Sequence, residues 1–236
     1  MLKQQLIERS PIRILEKSIH GGLGKGNLGA FAARKGVGKT ACLAHVAIDK
    51  LFGDQKVLHI SFADNPHHIE NWYRQVFQEV ASTYRLDDPF DMYDEIKLHR
   101  LIIHFKQTDI PFEQVQKNVD QITAGSAFQP TAWIVDGYSF YDAKPEEFAK
   151  WKQFASDHGI EMWFSATLHK ENMAPDKNGI PFPVSRFYDM LSVIIVLNPV
   201  QNYIELKLMK DHDSKDMEKL RLKLDPKTLL LSNHRI

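Results

Sequence analysis

The chain has 236 residues, of which 43% are hydrophobic and 25% charged, and its 30 Lys and Arg residues balance its 30 Asp and Glu residues. This composition is typical of a globular domain and excludes collagen-like and disordered chains. No apolar run reaches eighteen residues, one cysteine cannot build a disulfide framework, and the opening MLKQQLIERS lacks a signal-peptide stretch, so we expect a cytoplasmic chain with no membrane partner.

Short apolar runs alternate with amphipathic segments along most of the chain. In chain order the predicted elements are a polar-apolar arm at 1–18, a glycine-rich loop at 20–27, a strand at 28–33, a helix at 39–52, a strand at 56–62, a helix at 66–83, an ambiguous helix or strand at 95–105, a helix at 112–122, a strand at 132–135, a helix at 145–158, a strand at 161–166, a loop at 172–183, and strands at 192–197, 203–209, 220–224 and 229–231. This alternation predicts an α/β fold with a mostly parallel central sheet flanked by helices, and the paired C-terminal strands predict an antiparallel edge. We expect a single domain at 19–236 after the N-terminal arm at 1–18.

The most specific motif is Ala33-Arg-Lys-Gly-Val-Gly-Lys-Thr40, which fits the phosphate-loop pattern G-x-x-x-x-G-K-[ST] except that Ala33 replaces the first glycine. Its glycines allow backbone N–H groups to point at an anion, and the following helix adds its positive dipole end. In this pattern Lys39 reaches the β- and γ-phosphates of ATP, and the Thr40 hydroxyl binds Mg²⁺. The residues predicted to contact the nucleotide are Ala33, Arg34, Lys35, Gly36, Val37, Gly38, Lys39, Thr40 and Ala41.

A second motif is the apolar run Thr131-Ala-Trp-Ile-Val-Asp136, a predicted buried strand that ends in a carboxylate. Ligands of open α/β sheets bind outside the carboxyl ends of the strands. Because Mg²⁺ prefers oxygen ligands, we expect Asp136 to hold the metal with Thr40, directly or through water. Many strands end in aspartate, so this prediction depends on the phosphate loop beside it.

Two segments together resemble the RecA-like ATPases, most closely their KaiC-like and DnaB-type replicative-helicase branches. The segment His20-Gly-Gly-Leu-Gly-Lys-Gly-Asn-Leu28 is similar to the hairpin that precedes the first strand in those families, and Ala32-Ala-Arg-Lys-Gly-Val-Gly-Lys-Thr-Ala-Cys-Leu43 is similar to the helicase-type loop. The resemblance covers residues 18–225, and its specific motif is the phosphate loop. It implies one RecA-like P-loop NTPase domain with Mg-ATP at a subunit interface, in a hexameric or filamentous homo-oligomer.

The resemblance also implies a catalytic glutamate after the second long strand, where this sequence has Ala63 followed by Asp64. Asp64 is the best candidate for the general base, although its side chain is one methylene shorter and a base must lie within about 3 Å of the attacking water. The alternative is that Asp64 and Asn65 only open the next helix, as these residue types do at N-caps.

Two further family positions are altered. Thr167 stands where a glutamine usually acts as a polar sensor, and His212 replaces the arginine of a Lys-x-Arg pair that reaches into the adjacent subunit's ATP. Histidine is only partly charged near neutral pH and lacks the guanidinium fork. Lys210 is therefore the best candidate for a trans-acting catalytic residue, and the alternative is a charged residue in a turn.

Support for single-stranded DNA as a partner is weaker. His169 and Lys170 could face DNA or a neighbouring subunit, but a solvated loop is the favoured interpretation. The loop at 172–183 lies where RecA-like proteins place DNA-contacting loops, yet its one basic residue is Lys177, and DNA binding needs several phosphate contacts. Three aromatic residues follow the acidic motif, at Tyr138, Phe140 and Tyr141. They could stack on a base, although packing against a helix is favoured.

An intact binding loop beside three altered catalytic positions predicts a protein that binds Mg-ATP and hydrolyses it slowly, or only when assembled. One alternative is a DNA-stimulated helicase-type motor or accessory ATPase that acts on single-stranded DNA. Another is a non-hydrolysing regulatory module that responds to the bound nucleotide. The zero net charge and the scarcity of basic residues in the loops place the motor behind the slow ATPase.

Overall fold

The computed structural model describes residues 3–107, 109–169, 175–214, 217 and 219–233. Its helices are α1 (Lys3–Arg9), α2 (Ile12–Ser18), α3 (Lys39–Phe52), α4 (Pro66–Tyr84), α5 (Pro89–Lys97), α6 (Phe112–Thr123), α7 (Pro145–His158) and a short 3₁₀ helix (Val184–Phe187). Its strands are β1 (Leu28–Ala33), β2 (Val57–Ser61), β3 (Arg100–His104), β4 (Ala132–Asp136), β5 (Glu161–Thr167), β6 (Val193–Pro199), β7 (Ile204–Asp211), β8 (Leu222–Leu224) and β9 (Leu231–Asn233).

All of these strands belong to one sheet, in the order β3-β2-β4-β5-β1-β6-β7-β8-β9. The strands from β3 to β6 in this order pair in parallel, whereas β7, β8 and β9 pair antiparallel. The predicted mostly parallel sheet with an antiparallel C-terminal edge is therefore confirmed. Because parallel strands point the same way, the carboxyl ends of β1, β2, β4 and β5 meet at one edge of the sheet.

Helices cover both faces of the sheet, as buried parallel strands require. On one face α3 and α4 enclose the first hydrophobic core, and on the other α6 and α7 enclose the second. Side chains alternate along β1, so Phe31 and Ala33 belong to the first core while Ala30 and Ala32 belong to the second. The strand before the phosphate loop is thus held from both sides.

The N-terminal segment predicted as an arm at 1–18 forms α1 and α2, which pack on α3. Leu6, Ile12 and Leu15 are buried in the first core. Arg13 of α2 also forms an ion pair with Asp49 of α3. These contacts attach the segment to the helix that follows the phosphate loop.

The ambiguous segment at 95–105 contains both structures, because α5 ends at Lys97 and β3 begins at Arg100. β3 lies at one edge of the sheet, and all its residues except Ile103 are only partly buried. A strand at the edge lacks the continuous apolar run of a central strand, which explains the weak sequence pattern. No helix in the described part of the chain is long and apolar enough to cross a membrane.

Candidate functional site

The phosphate loop joins the end of β1 to the start of α3. Gly36 and Gly38 have φ angles of 79° and 108°, in the left-handed region that favours glycine. Gly38 is the N-cap of α3, a helix of 14 residues that begins at Lys39. The positive end of the helix dipole therefore faces the loop, and the strand, turn and helix that the motif requires are all present.

Lys39 points into the loop. Its Nζ donates to the backbone oxygens of Ala33 at 3.1 Å and Arg34 at 3.0 Å, and only 8% of the residue is exposed. Burial lowers the pKa of this amine, and the nearby carboxylate of Asp136 opposes that change. The amine is thus held by hydrogen bonds to neutral carbonyl groups. A phosphate oxygen can take the place of these acceptors and form a stronger, charge-assisted hydrogen bond.

Asp136 lies at the carboxyl end of β4 and accepts hydrogen bonds from two hydroxyl groups. Thr40 Oγ1 donates to its Oδ2 at 2.8 Å, and Ser165 Oγ donates to its Oδ1 at 2.5 Å. Burial raises the pKa of the Asp136 carboxyl group, while these hydroxyls and the Lys39 amine act in the opposite direction. The structure therefore brings together the two residues predicted to hold the metal, Thr40 and Asp136.

The oxygen atoms of the Thr40 hydroxyl and the Asp136 carboxylate are suitable ligands for Mg²⁺ bound together with a nucleotide. Within the described ranges, no group of three or more His, Cys, Asp or Glu side chains could hold a metal ion. Mg²⁺ in nucleotide sites is commonly held by one or two protein oxygens, with phosphate oxygens and waters as its other ligands. The hydroxyl of Thr40 and the carboxylate of Asp136 fit that arrangement, in which the metal would neutralise charge on the phosphates.

The loop opens into a cleft of about 620 Å³ at the carboxyl edge of the sheet, a size suited to a nucleotide. The predicted site residues that line it are Lys35, Gly36, Val37, Gly38, Lys39, Thr40, Asp64 and Asp136. Three of the residues predicted to contact the nucleotide do not line the cleft. Ala33 and Ala41 are buried in the first core, and Arg34 is exposed.

Asp64 lies in the turn that follows β2. Ser61 Oγ accepts from its N–H at 3.0 Å and donates to its backbone oxygen at 2.7 Å, which fixes the turn. Asn65, not Asp64, caps α4, because Asn65 Oδ1 accepts from the N–H of His68 at 3.0 Å. The Asp64 carboxylate is therefore not used as the helix cap, and it lies 3.7 Å from the His68 ring.

Two of the altered family positions, Ala63 and Thr167, also line the cleft. Ala63 precedes Asp64 and supplies only a methyl group. Thr167 ends β5 and lies in register with Ala33 of β1, directly beside the phosphate loop. The cleft thus contains a hydroxyl at the predicted sensor position and a single carboxylate besides Asp136 among its described lining residues.

Lys210 does not reach this cleft. β7 runs antiparallel, so Lys210 lies towards the amino-terminal ends of the parallel strands. Its Nζ donates to Tyr188 O at 2.6 Å and lies 4.2 Å from the centre of the Tyr188 ring, and burial lowers its pKa. The His212 ring bonds to Asp211 and to Leu23 O. Within one chain these two residues are separate from the phosphate loop, and a trans-acting role stays a prediction.

The aromatic residues after β4 divide into two groups. Tyr138 and Phe140 are buried in the second core, which confirms packing for both. Tyr141 is 46% exposed, and its ring contacts His169 and Phe182 at centroid distances of 5.3 and 5.6 Å. His169 is exposed, whereas Lys170 and positions 172–174 of the predicted loop lie outside the described residues.

Sequence reasoning missed two parts of the site. The first is Ser165, which donates to Asp136 and accepts from Gly137 N–H at 2.8 Å. The available sequence signal was that Ser165 is the first polar side chain after the apolar run Met162-Trp-Phe164. The C-terminal side of the cleft is lined by Ile204, Pro226 and Leu229. No local pattern marks these three residues as neighbours of the phosphate loop.

A second groove, of about 590 Å³, lies between α4 and α5 and shares no lining residue with the cleft. It is mainly apolar and includes Phe90, whose side chain is largely exposed. Because it has no counterpart of the Thr40–Asp136 pair and lies away from the strand ends, the cleft at the phosphate loop is the better candidate site.

The fold and the cleft define an α/β protein with a candidate ligand cleft at the carboxyl edge of a mostly parallel sheet. The chain matches no protein-family model and no curated protein. The geometry of the cleft is therefore the feature that supports a function.

Proposed function

We propose that this chain is a RecA-like P-loop protein that binds Mg-ATP in the cleft and hydrolyses it slowly or only on assembly. The observation that carries the proposal is the joint position of three groups at the start of α3. The Lys39 amine lies inside the loop, and the Thr40 hydroxyl next to it is 2.8 Å from the Asp136 carboxylate. A cation and two oxygen ligands at a helix N-terminus are the groups that a magnesium-bound triphosphate needs.

Slow hydrolysis follows from the remaining cleft residues. Ala63 carries no proton acceptor, and Thr167 has a shorter reach than glutamine. Asp64 is the one lining carboxylate in the described chain that is not already bonded to Thr40 and Ser165. We propose that Asp64 orients or deprotonates the attacking water, at a rate limited by its short side chain and by its His68 neighbour.

The test of nucleotide binding compares Lys39→Ala with Lys152→Ala. Both amines donate to backbone oxygens, but Lys152 bonds to Gly26 and Asn27, outside the cleft. We expect Lys39→Ala to weaken Mg-ATP binding by about tenfold to a hundredfold, the loss expected for one charge-assisted hydrogen bond, while Lys152→Ala retains wild-type affinity. Isothermal titration calorimetry measures both, and undiminished affinity in Lys39→Ala would overturn the site assignment.

A second candidate is a non-hydrolysing module in which ATP changes conformation or assembly. It is favoured by the proximity of the His68 ring to Asp64, because an ion pair would hold the candidate base away from water. This candidate predicts a rise in Tm with Mg-ATP but no phosphate release at any protein concentration. Measured turnover that disappears in Asp64→Asn would favour the slow ATPase instead.

A further inference from the structure

The phosphate loop divides the cleft into two chemically different sides. In the sheet order, β2, β4 and β5 lie on one side of β1. The cleft residues on this side include all the carboxylates and side-chain hydroxyls of its described lining apart from Thr40, namely Asp64, Asp136, Ser165 and Thr167, together with the apolar side chains of Phe62, Ala63 and Trp72. β7, β8 and β9 lie on the other side, where the lining residues are Ile204, Pro226 and Leu229. A triphosphate bound with its terminal phosphate towards Asp136 would direct its nucleoside to the apolar side.

The apolar side is fixed firmly to the phosphate loop. The Leu224 side chain lies directly on Gly38, since a Cβ added there would be 2.4 Å from Leu224 Cδ2. In addition, His45 Nε2 of α3 lies 2.9 Å from Leu229 O and 3.2 Å from Leu231 N. Burial lowers the pKa of His45 to about 4, so this ring is neutral at pH 7. The hairpin of β8 and β9 is therefore a preformed wall of the cleft.

The backbone N–H groups of the turn at 225–229 all have acceptors within the chain. Leu229 N–H donates to Asp225 O at 2.8 Å, and Asp225 N–H donates to Leu230 O at 3.0 Å. The Asp225 carboxylate accepts from the N–H groups of Lys227 and Thr228. The wall therefore offers a nucleobase apolar contact, and its bonded N–H groups are not available to donate to the hydrogen-bonding edge of a base.

We propose that Ile204, Pro226 and Leu229 form a nucleobase subsite that recognises a purine by apolar contact and does not distinguish ATP from GTP. The inference rests on the proposed binding of Mg-nucleotide in the same cleft. A purine offers more apolar surface than a pyrimidine, so it binds more tightly to such a wall. A site without hydrogen bonds to the base edge discriminates weakly between bases of similar size, because no buried polar group is left unpaired by the wrong one.

The experiment measures the affinities of ATP, GTP, CTP and tripolyphosphate, each with Mg²⁺, by calorimetry. It uses wild-type protein, Leu229→Ala and Leu230→Ala. Leu230 is the matched control, because it is the next residue, is also half-buried and does not line the cleft. We expect wild-type ATP and GTP affinities within about fivefold of each other, and a CTP affinity lower by about fivefold or more.

Leu229→Ala should weaken ATP and GTP binding by about fivefold and leave tripolyphosphate binding unchanged, whereas Leu230→Ala should change none of these affinities. Preserved tripolyphosphate binding also reports that the variant is folded. An ATP to GTP affinity ratio above about a hundred, or equal losses for ATP and tripolyphosphate in Leu229→Ala, would overturn the subsite. If wild-type protein bound neither tripolyphosphate nor any nucleotide, the proposed function itself would fail.

Discussion

Asp136 is the residue at which stability and the proposed function conflict most directly. Its carboxylate is 3% exposed and holds two hydroxyls, yet burial still raises its pKa above the ordinary value of 3.8. A raised pKa means that the folded state binds this proton more tightly than the unfolded state does. The folded protein therefore loses stability as the pH rises from the ordinary value through the raised one. A bound Mg²⁺ would compensate for this cost.

We expect Asp136→Asn to raise the Tm of the nucleotide-free protein at pH 7 by about 2–4 °C, the shift that ~1 kcal/mol produces in a chain of this size. This increase in Tm should vanish below the ordinary carboxyl pKa, because Asp136 is then protonated in both the folded and the unfolded wild-type protein. The variant should also lose any increase in nucleotide affinity that Mg²⁺ causes. Thermal unfolding from about pH 3 to pH 8 measures the difference, since this range extends below the ordinary pKa of 3.8. Asp120→Asn, at an exposed position of α6, is the control, and a destabilised Asp136→Asn at pH 7 would contradict the argument.

At the scale of elements, the contact between the phosphate loop and β8 links the binding motif to the end of the chain. Leu224 is fully buried against Gly38, whereas an added Cβ at Gly36 would meet nothing within 4 Å. Both glycines have positive φ angles. The two positions therefore differ in packing and resemble each other in backbone conformation, which makes them a matched pair.

We expect Gly36→Ala to destabilise the protein by about 1–2 kcal/mol, the cost of a left-handed backbone for a residue with a Cβ. Gly38→Ala should cost about 2–5 kcal/mol, because overpacking against Leu224 adds to the same backbone cost. Urea unfolding measures both values. In a double-mutant cycle, Gly38→Ala and Leu224→Ala together should lower the free energy of unfolding by less than the sum of their separate effects. Equal costs for the two glycine variants would show that β8 does not press on the loop.

At the level of the entire fold, the cleft at the phosphate loop and Lys210 lie at different ends of the sheet. Ile204 begins β7 beside the cleft, and Lys210 lies near the opposite end of the same strand. Under the proposed function, a lysine so placed would act on a nucleotide only in a neighbouring copy of the chain. Assembly is therefore the property that decides whether Lys210 takes part in hydrolysis.

If assembly brings Lys210 to a neighbour's nucleotide, phosphate release per subunit should rise with protein concentration. At high protein concentration, Lys210→Ala should lower phosphate release per subunit by about tenfold or more. It should not change the ATP affinity of dilute protein. Lys207→Ala is the control, because Lys207 lies on the same strand and is exposed. The assay is run with and without single-stranded DNA, which should stimulate release only if the protein is a DNA motor. Turnover per subunit that stays constant across concentrations would exclude the trans role.

The α/β class, the antiparallel C-terminal edge and most element boundaries could be predicted from the amino-acid sequence, because periodicity and turn residues act over neighbouring positions. The local pattern also marked the loop from Ala33 to Thr40 and the strand that ends at Asp136. Three placements became visible only in the folded chain: Ser165 bonds to Asp136, Leu229 and Pro226 line the same cleft, and Lys210 lies away from it. Those placements depend on the order of strands in the sheet, which is set by the packing of residues far apart in the chain and leaves no trace in any local pattern.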